Sequence, residues 1–385
     1  MNQKGAKRGK GSSWQHRPRT YEEPDLEKIP IDTKRWRYVL NRLLKLHNWR
    51  HSVKNKGVSN RTSAERARFV HWIFEWLREN EKKRYKLDPR SLSGRHIDFI
   101  LADWQEKAKA GRMAPATIQT YFSHLKTFTG WIGKPELMKP IECYFDDPKL
   151  YTRSYIAKVD LSWKGKGVSA TDLIKKAIGI DRFVAAVLML LAAFPLRFKE
   201  ACMFRPHQDV AKKTGEDGTV RYFLDTHRGT KGGRDRFIPV ETAEQWEAIE
   251  FAKSVAMKPH HSVSDPRLNL EQALQRVRDV MRRRLGLTKR DLGVTPHRTR
   301  HQHAGELYEE LTGEAPPVAG GGHVDKALDK HARLIIADRL GHGRTQITNA
   351  YIGKATKANA GVADLAGDVE PQVPVSPNAS DDAVG

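Results

Sequence analysis

Two short runs in the C-terminal third of the chain hold the side chains best suited to chemistry. They are G-V-T-P-H-R-T-R-H-Q-H at 293–303 and L-G-H-G-R-T-Q-I-T-N-A-Y at 340–351. In the first, His297 and Arg300 stand three apart just after Pro296. A helix opening at that proline, whose fixed φ and missing N–H suit a first turn, puts both side chains on one face. In the second, a Gly turn leads to His342, then to a run that reads as a short helix, and Tyr351 follows nine residues on. Arg offers a rigid fork matched to phosphate oxygens, and Tyr can serve as a covalent nucleophile. His, Arg and Tyr gathered in a basic chain point to chemistry on phosphate.

The basic character is large. The 385 residues carry a formal charge of +22, far more than solubility needs, which points to a polyanionic partner and less to an anionic membrane surface. Residues 276–300 alone hold nine Lys or Arg against two Asp, Asp279 and Asp291, a local footprint for phosphate. Lys4, Lys7, Arg8 and Lys10 are followed by polar residues, so a signal peptide is not expected. The uncharged run 183–196 is 14 residues long, too short to cross a bilayer and suited to a buried helix. Two cysteines, Cys143 and Cys202, make neither a zinc knuckle nor a disulfide framework, which fits a reducing cytoplasm. His297 and His301 have the spacing of H-E-x-x-H, but Arg298 leaves no glutamate between them and disfavours a cation. The G-T-K-G-G run lacks the spacing and hydroxyl residue of a nucleotide-binding loop. Neither a metal nor any other cofactor is therefore expected.

The elements that must position these residues can be read in order. Residues 1–29 are read as a basic flexible arm. Helical patterns follow at 35–46, 62–77, 94–108 and 115–131, the second with a Thr62…Glu65 capping box, the last with Pro115 in its first turn. They make a compact helical domain over 30–135. A Pro-, Asp- and Lys-rich connector at 136–168 leads to a second domain at 169–355. Helices are expected there at 170–178 and 181–193, then strands at 220–225 and 236–240 flanking H-R-G-T-K-G-G-R-D, a hairpin with Lys231 near its tip. Further helices are expected at 243–256, 270–285 and 327–339, with a flexible Gly- and Pro-rich insertion at 312–325. His303 and His323 read as surface residues. The acidic stretch 356–385 reads as a flexible tail. The fold class is mainly α, with a small β-hairpin in the second domain.

Taken in order, P-L-R-F-K-E at 195–200, G-T-K-G-G-R-D-R-F-I-P-V at 229–240, H-R-T-R-H at 297–301, L-G-H at 340–342 and Tyr351 resemble the catalytic domain of the tyrosine recombinases, the phage-integrase family. The helical first half and R-P-H-Q-D at 205–209 look like integrases of integrative elements and prophages. The resemblance spans about 35–352. It implies a helical DNA core-binding domain followed by a mostly helical catalytic domain. Carried over by position, it implies that Arg197 and Arg300 bind the phosphate, that Lys231 is the hairpin lysine and general acid, that His297 and His342 assist, and that Tyr351 is the nucleophile. Glu200 matches the acidic residue that supports the first arginine. Pro195 departs from the family, which more often has glycine there.

On this resemblance, Tyr351 attacks a phosphodiester while the two arginines meet the growing charge. A 3′-phosphotyrosine conserves the bond energy, so rejoining needs no cofactor. Arg276, Arg282, Arg283, Arg284, Lys289 and Arg290 are expected along the DNA backbone. Arg234 and Arg236 join them from the hairpin and compete for the part of Lys231. The implied partners are double-stranded DNA, a DNA-bound homo-tetramer and accessory DNA-bending or directionality proteins, in a cytoplasmic, nucleoid-associated setting with no membrane. Integration or excision of a mobile element is the first reading. A dimer resolvase or a relative of type IB topoisomerases is the second, and a DNA-binding protein of this fold that no longer cuts is the third.

Overall fold

The computed structural model describes residues 26–52, 54–80, 82–230 and 235–354. The expected arm up to residue 25, the acidic stretch 356–385 and the hairpin residues Lys231 and Arg234 lie outside the described residues. The described chain forms two compact units, one ending at Arg153 and the other beginning at Ser154. Residues of the 136–168 stretch serve both cores: Met138 and Phe145 are buried in the first, Trp163 in the second.

The first unit is built on α1 (Trp36–His47), α2 (Asn60–Glu79), α3 (Gly94–Lys109) and α4 (Pro115–Trp131). Apolar residues recur three or four apart on each, as in Phe69, Ile73, Leu77 and Ile97, Ile100, Trp104, and all are buried, so one stripe per helix faces the core. Phe69 lies at the centre, its ring 4.9 Å from Tyr121 and 6.2 Å from Trp104. The start of α2 corrects the sequence reading. Ser59 is extended and its side chain accepts from the Thr62 N–H at 3.1 Å, so the helix begins earlier, while Glu65 pairs with Arg61. A serine cap was available one turn upstream, and it takes the orphan amide.

In the second unit, α5 (Ala170–Ile178) and α6 (Arg182–Ala193) lead to α7 (Phe198–Met203). The Asp181 side chain caps α6 through the amides of Phe183 and Val184. Residues 184–191 of α6 are all buried, so it is the central helix of the larger core. Three antiparallel strands follow in the order β1 (Val210–Thr214), β2 (Val220–Thr226) and β3 (Arg236–Val240). The β2–β3 register pairs Thr226 with Arg236. The strand β1 has no counterpart in the sequence reading. Its three outer residues, Lys212, Lys213 and Thr214, are exposed, so no apolar alternation marks it.

The chain continues through α8 (Ala243–Val255) and α9 (Leu270–Asp279). Beyond Asp279 the expected helix widens into a π turn, Val280–Arg284, which buries Met281 and leaves Arg282, Arg283 and Arg284 exposed. A 3-10 turn, Pro296–Arg298, opens α10 (Thr299–Thr312), followed by α11 (Lys326–Arg339) and, after a 3-10 turn at Thr345–Thr348, the four-residue α12 (Asn349–Ile352). The 312–325 stretch carries one element of local structure. It forms a 3-10 turn, Pro317–Ala319, and Val318 packs so closely on Gly353 that a Cβ there would lie 3.2 Å from it.

Candidate active site

Arg197 caps α7 just beyond the buried end of α6. Its main-chain N–H donates to Glu200 Oε2 and its Nη1 to Glu200 Oε1, both at 2.7 Å. Nη2 donates across the unit to the carbonyls of Leu340 at 3.3 Å and Gly341 at 3.2 Å. Arg236, at the start of β3, grips the same carboxylate, with Nη2 to Oε2 at 2.8 Å and Nη1 to Oε1 at 3.1 Å. Burial alone would raise the Glu200 carboxyl, but the hydrogen bonds and charges of Arg236 and Arg197 outweigh it and hold it down to about 2. Glu200 is thus an anion that orients two guanidinium groups. Gly341 has φ +65°, and a Cβ there would come 2.9 Å from Arg236 Nη1, so glycine is required twice over.

Arg300 lies in the first turn of α10 and is wholly removed from solvent. Nη1 donates to the carbonyl of Pro195, and Nη2 to that of Leu340 at 2.7 Å. Burial pulls its guanidinium down to about 10, and its Nε is buried without a partner. The carbonyl of Pro195 accepts from both Arg300 and Arg236.

His342 connects the arginine to the tyrosine. Its Nε2 is 3.2 Å from Arg300 Nη2 and 3.1 Å from Tyr351 Oη. A guanidinium can only donate, so this nitrogen must carry the lone pair, and the Tyr351 hydroxyl donates to it. Burial, followed by Arg300, Arg197 and Arg236, pushes His342 down to about 4, which keeps the imidazole neutral and able to accept. His297 is likewise pushed to about 4 by burial and by Arg300 and Arg197, and its ring centroid is 6.3 Å from that of Tyr351. The Tyr351 ring is 8% exposed and packs in a small cluster with Ala304, Tyr308, Ile336 and Leu340. The structure therefore gathers Arg197, Glu200, Arg236, His297, Arg300, His342 and Tyr351.

One member of this cluster was not read from the sequence as part of it. The His301 ring lies 4.8 Å from that of Tyr351, nearer than His297. Positions 297, 300 and 301 share a helix face, so the spacing that marked the first two covers the third. His303, expected on the surface, instead packs against α6 with Nε2 3.1 Å from the carbonyl of Leu191, because α10 turns that face inward. His323 is exposed.

Of the expected DNA contacts, Arg282, Arg283, Arg284, Lys289 and Arg290 are exposed. Arg276 is engaged elsewhere, with Nε on Asp181 and Nη1 on Asp265, both at 2.7 Å. Arg236 is buried at 7% exposure and belongs to the interior of the cluster rather than to a groove-facing surface. Both arginines are engaged for one reason, since buried carboxylates within reach capture them. Clefts of about 660 and 560 Å³ occur in the first unit, one lined by Trp76 and Phe99, the other by Tyr144 and Asp146, and neither includes the cluster. No group of three or more His, Cys, Asp or Glu suited to a metal occurs among the described residues, and no helix there is long and apolar enough to cross a membrane.

The electrostatics carry a pH expectation. His96, His297, His301, His303 and His342 are all depressed to about 4 by burial. Between 4 and the ordinary 6.5 the unfolded chain binds more protons than the folded one, so stability falls as pH drops through that window. Glu200, held near 2, extends the loss below its ordinary value in the same direction. Denaturant midpoints at pH 7, 5.5 and 4 should decline steadily, and His301→Gln should flatten the slope. A constant midpoint from 7 to 4 would contradict the buried neutral histidines.

Residues 166–306 match the family model described as Integrase. No curated protein matches the chain. Among solved structures, lambda integrase bound to DNA aligns with TM-score 0.50 and 15% identity, covering 83% of this chain and 96% of that one. A lambda integrase dimer bound to a COC′ core site aligns with TM-score 0.49 and 14% identity, covering 81% and 75%. The XerH site-specific recombinase in a post-cleavage complex with a palindromic difH substrate aligns with TM-score 0.45 and 13% identity, covering 83% and 80%. The first of these carries the likeness of fold, and the family match covers the stretch holding Trp163's partner Thr295 as well as Arg197, Glu200, His297 and Arg300. Residues 166–306 are thus similar to the Integrase family, and the fold is similar to that of lambda integrase.

Proposed function

We propose that this protein is a site-specific DNA recombinase that cleaves and rejoins strands through Tyr351, in the service of integrating or excising a mobile element. The observation that carries the reading is the line from Arg300 Nη2 to His342 Nε2 to Tyr351 Oη, at 3.2 and 3.1 Å. Tyr351 Oη bonds to the phosphorus and its proton passes to the neutral His342. The P–O5′ bond breaks, and the 5′ oxygen takes a proton from Lys231 on the β2–β3 connection. Negative charge grows on the non-bridging oxygens, and Arg197 and Arg300 meet it by exchanging donors that rest on the carbonyls of Pro195, Leu340 and Gly341. The product is a 3′-phosphotyrosine and a free 5′ hydroxyl, and attack by another strand's 5′ hydroxyl reverses the step. No metal or nucleotide enters this scheme.

The test uses a nicked duplex carrying the sequences at the borders of the element that holds the gene. After reaction and denaturation, protein should carry DNA through its 3′ end. Absence of any linked species on such substrates, with the DNA bound, would favour a DNA-binding protein of the same fold. We place the recognition of DNA in both units, a helical core-binding unit and a catalytic unit, acting as a homo-tetramer with accessory bending or directionality proteins.

Binding itself should depend strongly on salt. The exposed Arg282, Arg283, Arg284, Lys289 and Arg290 supply about five phosphate contacts. Counterion release then predicts an affinity loss on the order of 10² to 10³ between 50 and 200 mM salt. A titration at several salt concentrations checks this, and a nearly flat log–log plot would contradict it.

A further inference from the structure

The nucleophile sits on a helix that cannot hold itself in place. α12 has four residues, below the length at which a helix sustains its own order. What fixes it is a buried arginine from α11. Arg333, 9% exposed, directs the two N–H groups of Nη1 at Asn349 Oδ1 at 2.9 Å and the carbonyl of Gly353 at 3.1 Å, with Thr348 Oγ1 as a longer, shared acceptor at 3.4 Å. These three acceptors bracket residue 351 on both sides. The guanidinium is aimed by Asp329, which accepts from Nε with both oxygens at 2.9 and 2.8 Å. Asp329 is held in turn by the Tyr308 hydroxyl, which donates to Oδ1 at 2.8 Å. From the opposite direction the Ala157 N–H donates to the carbonyl of Asn349 at 2.8 Å.

We propose that Arg333 is a positioning residue for the reaction, and that its bracket across 348, 349 and 353 sets how well the Tyr351 hydroxyl is held on His342. The proposal rests on the reading of Tyr351 as nucleophile. Arg333 touches neither His342 nor Arg300 among its hydrogen bonds, so it acts through the tyrosine segment alone. Its planar fork serves Asp329 through Nε and the 349–353 segment through Nη1 in one fixed geometry, whereas a lysine's donors radiate from a single nitrogen. Without the bracket, α12 is left to the packing of Tyr351 and Ile352 and to the Ala157 bond, and a misplacement of about 1 Å can cost on the order of 10² in rate.

The test compares Arg333→Met, Arg333→Lys and Asn349→Ala with the parent. The last removes one acceptor and keeps the buried charge in place, so it remains informative if the first fails to fold. Two readings are taken: the rate of adduct formation on a saturating nicked duplex, and hydrogen exchange of the amides at 349–353. The expected result is a fall in the rate of about 10²-fold for Arg333→Met at unchanged DNA affinity, and a smaller fall for Asn349→Ala. Arg333→Lys should recover part of the rate, and exchange at 349–353 should quicken while the amides of α6 stay protected. A purely structural role would instead lower the protection of α6 together with that of 349–353. An adduct rate per folded molecule equal to the parent's in both Arg333→Met and Asn349→Ala would overturn the proposal, as would unchanged exchange at 349–353. If the parent itself formed no adduct, the nucleophile reading would fail, whereas unchanged exchange would by itself remove the bracket.

Discussion

Tyr351→Phe is expected to bind duplex DNA as tightly as the parent and to cleave none of it. The substitution removes one oxygen from a side chain that is 8% exposed and packed among Ala304, Tyr308, Ile336 and Leu340. The ring's burial is kept, and only the bond to His342 Nε2 is lost, so the stability cost is about 1 kcal/mol. Tyr351 carries the one hydroxyl of the cluster, and its one carboxylate, Glu200, is locked between Arg197 and Arg236. Replacing Lys231 with Ala should fail at a different step, protonation of the leaving 5′ oxygen. A substrate with sulfur at that bridging position leaves without the proton, and it should revive Lys231→Ala but not Tyr351→Phe. Revival of both would remove Tyr351 from the mechanism.

The second large effect is expected at Arg300. Arg300→Ala should lose a factor of 10² to 10³ or more in cleavage, the scale of one preorganised donor to a developing oxyanion. Stability should change much less, for a reason visible in the burial. Burial disfavours the charged guanidinium, and its removal relieves that penalty. The carbonyls of Pro195 and Leu340 keep donors from Arg236 and Arg197, so neither is orphaned. Rate and thermal midpoint should therefore separate, with a large loss in the first and a small shift in the second. Arg300→Lys keeps a charge but not the fork that spans Pro195 and Leu340, and it should recover only part of the rate. A stability loss large enough to explain the missing activity would contradict a role in transition-state binding.

How much of this was legible in the sequence depends on the reach of each signal. The helices carry local signals, and α3, α4, α5 and α6 begin and end within a residue or two of where apolar spacing, Pro115 and Asp181 place them. Arg197, His297, Arg300, His342 and Tyr351 stand out through motif order, although nothing local shows that positions 197 and 341 meet. What was missed depends on long-range packing. β1 is an edge strand with little apolar pattern, so only its pairing with β2 reveals it. Arg236 and Arg276 look like surface cations until Glu200, Asp181 and Asp265 are seen to capture them. Arg333 resembles any helical arginine, and its significance appears only when the segment around Tyr351 folds back onto α11. The insertion at 312–325 was read as loose because Gly and Pro mark turns, yet Val318 against Gly353 makes it part of the same support.

The central claim is that one tyrosine carries the covalent step, and identifying the protein–DNA linkage tests it most directly. A nicked duplex is reacted with the full chain, the protein is denatured and digested, and the peptide bearing nucleotide mass is sequenced. The account predicts a single linked peptide, modified at Tyr351, joined to the 3′ phosphate with a free 5′ hydroxyl released. A linkage at any other residue, or through a 5′ phosphate, would contradict it.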